Sequence, residues 1–204
     1  LPMMDALPQG SKMIATGVIA PFFIPLKIAM LAAFLVALPF ILYQLWMFVA
    51  PGLYKHEKRF VLPLIVSSTL LFFVGMAFCY FFVFKMVFTF IAQMAPSSIQ
   101  VSPDIENYFN FILGMFFAFG LAFETPVVVV VLVATGLVSI ETLREVRRYV
   151  IVGAFVVAAV VTPPDVMSQL ALAVPLCILY EIGILWARFF VKPKPRDEAE
   201  SPAA

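Results

Sequence analysis

PDIENYFNFILGMFFAFGLAFETPVVVVVLVATGLVSIETLREVRR, residues 103–148, pairs a long apolar run with a basic cluster at its end. A membrane-spanning helix needs ~20 apolar residues at ~1.5 Å rise each, and the run from about Pro103 to Leu137 exceeds that. Ser102-Pro103-Asp104 has the form of a helix N-terminus, with a capping hydroxyl, proline at the first helical position and acids in the first turn. Arg144, Arg147 and Arg148 follow the run, in a segment that reads as a short amphipathic helix.

The same alternation repeats outward in both directions. Basic residues gather at Lys55, Lys58 and Arg59, at Arg144, Arg147 and Arg148, and at Arg188, Lys192, Lys194 and Arg196. The connections at the other ends of the apolar runs hold one base, Lys12. This asymmetry is the positive-inside pattern of a polytopic membrane protein. It places the three clusters in the cytoplasm and residues 1–20, 93–106 and 162–166 outside. The composition agrees: 64% hydrophobic, 12% charged, mean hydropathy +1.07, where a soluble domain is about a quarter charged. A net charge of +1 gives no sign of a nucleic-acid partner. Cys79 and Cys177 fall in apolar runs, so no disulfide framework is indicated.

The fold class is therefore all-α, a polytopic membrane helical bundle. Five spans are expected: about Phe22–Ala50, Phe60–Ala92, Pro103–Leu137, Tyr149–Thr162 and Val166–Val191. The fourth reaches only ~21 Å against a hydrocarbon core of ~30 Å. Thr162-Pro163-Pro164-Asp165 stops it, because proline removes a donor and fixes φ, and Asp165 is placed to cap the next helix. Residues 1–191 form the transmembrane domain. Residues 192–204 are polar, Pro-rich and expected to be a disordered cytoplasmic tail. Five spans with the C-terminus inside put Leu1 outside, with neither an initiator Met nor a signal segment before it. At least one upstream span is expected.

Glu124 is the most unusual residue by position. An ionisable group deep in a span costs ~2.5–3.5 kcal/mol on insertion scales, which makes it a functional candidate. The plainer reading is a protonated acid bonded to a neighbouring helix. Pro126 frees the Ala122 carbonyl and should kink the span. Glu57, in the basic loop Tyr54–Arg59, suits either the first turn of a helix or a cationic ligand. Glu181 and Arg188 share one helical face, and Glu181 is expected to have a structural partner. Lys27 and Lys85, near the outer ends of their spans, can snorkel. Thr162, Ser168 and Gln169 form a polar group at the outer turn, where helix–helix hydrogen bonding is the plainer role. Pro39 and Pro175 interrupt spans and should bend them.

Enzyme motifs are absent: no Gly-x-Ser-x-Gly, His-Glu-x-x-His, Cys-x-x-Cys, P-loop or GxGxxG occurs. His56 is a lone histidine, so no metal site and no cofactor are expected. A proton-coupled solute transporter using Glu124 and Glu181 stays open on these residues, although no internal repeat supports it. An intramembrane enzyme would need a nucleophile or metal set that does not accompany Glu124.

LPQGSKMIAT (7–16), PFILYQLWMFVAPGLYKHEKR (39–59), AFGLAFETPV (118–127) and RRYVIVGAFVVAAVVTPPDVMSQLALAVPLCILYEIG (147–183) together resemble TatC, a family of twin-arginine protein translocase components. The resemblance covers nearly all of residues 1–191. Tyr-Lys-His-Glu-Lys-Arg together with Val-Val-Thr-Pro-Pro-Asp is its most specific element.

The resemblance implies six spans in the full family member, both ends cytoplasmic, and a concave shape with short fifth and sixth helices. It also implies a homo-oligomer in the bacterial inner membrane, contacting membrane lipid. The implied function is reception of twin-arginine signal peptides on folded cargo. Export would proceed with small single-span TatA-type and TatB-type partners, using the proton-motive force. On the matching positions, Glu57 is the acid for the twin-arginine motif, with Pro39 and Phe48 near signal binding. Glu124 is the intramembrane glutamate, and Thr162 and Gln169 form the polar site for partner helices. Pro2 matches the outer-loop proline and Asp165 the Pro-Pro-Asp acid. A carboxylate suits the role given to Glu57, since it accepts two parallel guanidinium N–H bonds that Lys reproduces poorly. The family's N-terminal cytoplasmic segment, with its Glu-Leu-Arg motif and half of the proposed signal site, has no counterpart in these residues.

Overall fold

A computed structural model describes residues 14–49, 61–94, 104–162 and 166–190. Glu57, Pro2, Asp165 and the tail 192–204 lie outside the described residues. Those that are described are almost wholly helical. The chain order is α1 (Ala20–Val49), α2 (Val61–Phe78), a π-helical turn (Cys79–Val83), α3 (Phe84–Met94), α4 (Ile105–Phe123), α5 (Thr125–Ala134), α6 (Ile140–Glu145), α7 (Arg147–Val161) and α8 (Val166–Phe190). In hydrocarbon, backbone N–H and C=O groups must be satisfied within the segment, which leaves helix as the solution for these apolar runs.

Among the described residues, four helical stretches are long and apolar enough to cross a membrane: Ala20–Phe48, Leu62–Ile91, Ile105–Ala134 and Val166–Phe189. The fourth expected span, about Tyr149–Thr162, is α7, whose 15 residues reach only ~22 Å. Helix α1 continues through Pro25 and Pro39, and α8 through Pro175. The third span is cut in two at Glu124, as Pro126 led us to expect. Its N-cap is Asp104, whose side chain accepts from the Asn107 amide at 3.2 Å. The hydroxyl expected to cap it, Ser102, lies outside the described residues. A π turn inside the second span has neither proline nor glycine to announce it.

Close helix approach is set by small residues. A Cβ on Gly75 of α2 would come 2.5 Å from the Phe119 carbonyl of α4, and one on Gly120 of α4 would meet the Phe72 ring of α2 at 2.5 Å. Gly183 of α8 likewise lies against Pro126 and Val129 of α5. Such contacts replace the hydrophobic driving force that lipid cannot supply between helices.

Around them, three apolar clusters fill the interior. One joins Cys79, Val83, Phe84 and Val87 to Met115 and Phe119. A second joins Leu38, Leu42 and Trp46 to Phe72, Val127 and Val131. The third sets Tyr180 and Ile184 against Val129 and Leu143. The outward faces carry exposed Phe22, Val36, Phe40, Phe81, Val160 and Phe189, as lipid-facing surfaces do.

Candidate functional site

Glu124 sits where α4 gives way to α5, at φ −72°, ψ −15°. Pro126 carries no N–H to return to the Ala122 carbonyl, and the Thr125 hydroxyl takes that carbonyl at 2.7 Å. The break is thus stabilised locally, and it turns the Glu124 side chain into the bundle, where the residue is 6% exposed.

There it meets a polar chain running across three helical elements. The Trp46 indole Nε1–H of α1 donates to Ser68 Oγ of α2 at 3.0 Å. The Ser68 hydroxyl in turn donates to Glu124 Oε2. Ser68 is fully buried and Trp46 nearly so. The second carboxyl oxygen, Oε1, is buried without a hydrogen-bond partner among the described residues, an arrangement that leaves acceptor capacity for a ligand or a proton. About 15 Å of helix separates Glu124 from Ala134, so the carboxyl lies near mid-span.

Residue pattern alone does not single out Trp46 and Ser68. The usable signal is chemical: a tryptophan in a span needs a partner for its N–H, and the Ser67-Ser68-Thr69 run in an apolar helix offers one.

The other expected site residues are placed elsewhere. Pro39 is exposed and lines an apolar groove of about 630 Å³ with Ile65, Val66, Thr69, Leu70 and Phe73. Phe48, 85% exposed, projects from the end of α1. Thr162 and Gln169 flank the α7–α8 turn, both already bonded within the chain. The Thr162 hydroxyl donates to the Ala158 carbonyl at 2.7 Å, and the Gln169 amide donates to the Phe155 carbonyl at 3.2 Å. Gln169 is about 21 Å along α8 from Gly183, the residue that abuts Pro126, so this polar pair and Glu124 are separate places.

Glu181 has a structural partner, and it is Arg147 rather than Arg188. Two guanidinium nitrogens reach its two oxygens at 2.7 and 2.8 Å. Lys27 does more than snorkel: its ammonium reaches Asn110 Oδ1 at 2.8 Å and Glu106 Oε1 at 3.5 Å. Near it, Thr16 donates through both its amide and its hydroxyl to Asp104 Oδ1, at 3.1 and 2.9 Å. These bonds hold the Asp104 carboxyl below the usual carboxylate range, the Thr16 amide contributing most. Cys79 and Cys177 are both free thiols.

The sequence model of the family described as Sec-independent protein translocase protein (TatC) matches residues 2–175. The chain belongs to the TatC family. It is 52% identical over 198 residues to the TatC protein of Escherichia coli (strain K12), covering 97% of this chain and 77% of that one. It is 51% identical over 202 residues to that of Halothiobacillus neapolitanus, covering 99% of this chain and 55% of the relative. The crystal structure of a twin-arginine translocase receptor, TatC, superposes with a TM-score of 0.78 at 38% identity, covering 92% of this chain and 82% of that one. A second, in DDM, gives 0.78 at 37%, covering 91% and 84%. The chain is accordingly a multi-pass membrane protein and a component of a protein translocase that works with other subunits, not an enzyme.

Proposed function

We propose that this chain is the signal-peptide receptor and core component of a twin-arginine translocase, which exports folded proteins using the proton-motive force. The observation that carries the reading is the Glu124 carboxyl, held near mid-span by Ser68 and Trp46 in a chain similar to a crystallised twin-arginine translocase receptor. Insertion of an acid there is costly, and one of its oxygens has no hydrogen bond among the described residues.

In this reading the basic clusters face the cytoplasm, by the positive-inside asymmetry, and the protein lies in the bacterial inner membrane with its C-terminus inside. Glu57, with Phe48 and Pro39 nearby in sequence, reads the twin-arginine motif. Single-span TatA-type and TatB-type helices dock at Thr162 and Gln169. Both side chains keep capacity for a partner: the Thr162 oxygen still has lone pairs to accept with, and Gln169 keeps its carbonyl and a second N–H.

The test is export of a folded fluorescent reporter in cells lacking their own TatC and supplied with the full chain. Reporter with an Arg-Arg signal should reach the periplasm and stay inside when a protonophore collapses the gradient. Export that survives the protonophore contradicts the energetic part of the reading, and absence of export contradicts the whole.

A further inference from the structure

Along α2, the π turn and α3 run about 50 Å of continuous helix, against a hydrocarbon core of ~30 Å. Counting ~20 residues from Val61 at the arginine-rich end brings the hydrocarbon boundary to about Tyr80. On that count the π turn Cys79–Val83 lies at the opposite interface, and Lys85, two residues past it, at headgroup depth.

The π turn is two-sided. Cys79, Val83, Phe84 and Val87 are buried against α4, whereas Tyr80, Phe81 and Phe82 are 46%, 67% and 66% exposed. Tyr80 and Phe81 meet edge to face at 5.1 Å, and Phe82 stacks on Phe78 at 5.2 Å. The exposed aromatics thus form a fixed apolar platform at interface depth, where amphipathic and aromatic rings concentrate. Phe81 and Phe82 precede Lys85 by four and three residues, so the ammonium emerges over the same face. Lys85 is exposed and has no ion pair or hydrogen bond among the described residues. Lys27, also toward this end, has its charge occupied by Glu106 and Asn110.

We infer that Lys85 and the exposed aromatic face of the π turn bind an anionic phospholipid, the ammonium holding the headgroup phosphate and the Phe81 and Phe82 rings the acyl chains. Charge and depth together select the partner. An unpaired cation at headgroup height, beside apolar rings at the hydrocarbon boundary, matches one amphipathic anion whose two parts are separated in the same order. Lys85→Arg keeps the charge, and Lys85→Gln removes it while leaving a shorter polar side chain. The inference depends on the membrane-spanning reading and not on signal recognition at Glu57.

The experiment uses the full chain reconstituted in phosphatidylcholine vesicles, with a photoactivatable phosphatidylglycerol or phosphatidylcholine probe, and mass spectrometry of the peptide holding residues 80–86. One basic group near a membrane surface corresponds to about a fivefold preference, so labelling there should favour phosphatidylglycerol by about that factor. Lys85→Gln should bring the two probes to equal labelling, and Lys85→Arg should retain the preference. Millimolar inorganic phosphate should leave the labelling unchanged. Equal labelling of the unaltered chain by both probes means that Lys85 only snorkels, and overturns the inference without need of any variant. Competition by inorganic phosphate assigns the site to a free anion and overturns it equally.

Discussion

Ser68 of α2 donates its hydroxyl to the Glu124 carboxyl at the α4–α5 break, while accepting the Trp46 indole N–H from α1. One hydroxyl therefore ties three helical elements together in the interior of a membrane bundle. Ser68→Ala should strand both the indole N–H and a second carboxyl oxygen. Leaving buried polar groups unsatisfied costs about 1–3 kcal/mol each, although interhelical hydrogen bonds within membranes average nearer ~0.6 kcal/mol. We expect a loss of about 1–2 kcal/mol in denaturant unfolding in detergent. A double-mutant cycle with Glu124→Ala should show the two changes to be non-additive, since both remove the Ser68–Glu124 contact.

Gly75→Ala should be far more damaging than Gly114→Ala. The first places a methyl 2.5 Å from the Phe119 carbonyl, which is backbone and cannot step aside, while nothing lies within 4 Å of a Cβ on Gly114. Overpacking of this kind costs about 1–3 kcal/mol. Gly114→Ala should be neutral or stabilise by up to ~1 kcal/mol through helix propensity. Thermal unfolding of the two variants side by side checks the contrast.

At the end of the molecule away from the arginines, the link between Thr16 and Asp104 should weaken with acid. The Asp104 carboxyl is held below its ordinary value of 3.8, chiefly by the Thr16 amide. The sign follows from the depression: the link is fully present above the ordinary carboxylate value and is lost as pH falls through the lower, folded one. Amide exchange at Thr16, corrected for its intrinsic rate, should lose protection as pH falls from the ordinary carboxylate range to the lowest value the protein tolerates. In Asp104→Asn, protection should be independent of pH over the same range.

Arg147 and Glu181 make the shortest ion pair of the described residues, yet both side chains are nearly half exposed, at 48% and 46%. Exposed pairs contribute about 0–1 kcal/mol. Glu181→Gln should therefore lower stability by less than ~1 kcal/mol, less than Ser68→Ala despite the formal charges involved. Equilibrium unfolding of the two variants ranks them.

Much of the fold is legible in apolar run length and the placement of thirteen basic residues. Helix bounds at Ala20–Val49, Arg147–Val161 and Val166–Phe190 fall close to where proline and charge put them. The Glu124–Pro126 break is equally legible, because proline's missing donor is a local fact. Less local features are not. Which hydroxyl Glu124 meets depends on the register between α2 and α4, set by Gly75 and Gly120 against Phe119 and Phe72, and no single-chain periodicity reports it. Arg147 is hidden for the same reason: Arg188 shares a helix with Glu181, but the partner comes from α7. Lys27 reads as a solitary interfacial lysine because Glu106 and Asn110 approach it only after α1 and α4 pack.

Whether this TatC-family chain reads twin-arginine signals through Glu57 is decided by site-specific photocrosslinking at the 54–59 loop of the full chain. An Arg-Arg signal peptide is compared with its Lys-Lys counterpart, in the unaltered protein and in Glu57→Gln. A carboxylate takes a guanidinium through two parallel bonds that an ammonium cannot reproduce. Recognition by Glu57 therefore requires strong crosslinking of the Arg-Arg peptide only, lost in Glu57→Gln while membrane insertion is retained. Equal crosslinking of the two peptides, or undiminished Arg-Arg crosslinking in Glu57→Gln, contradicts it.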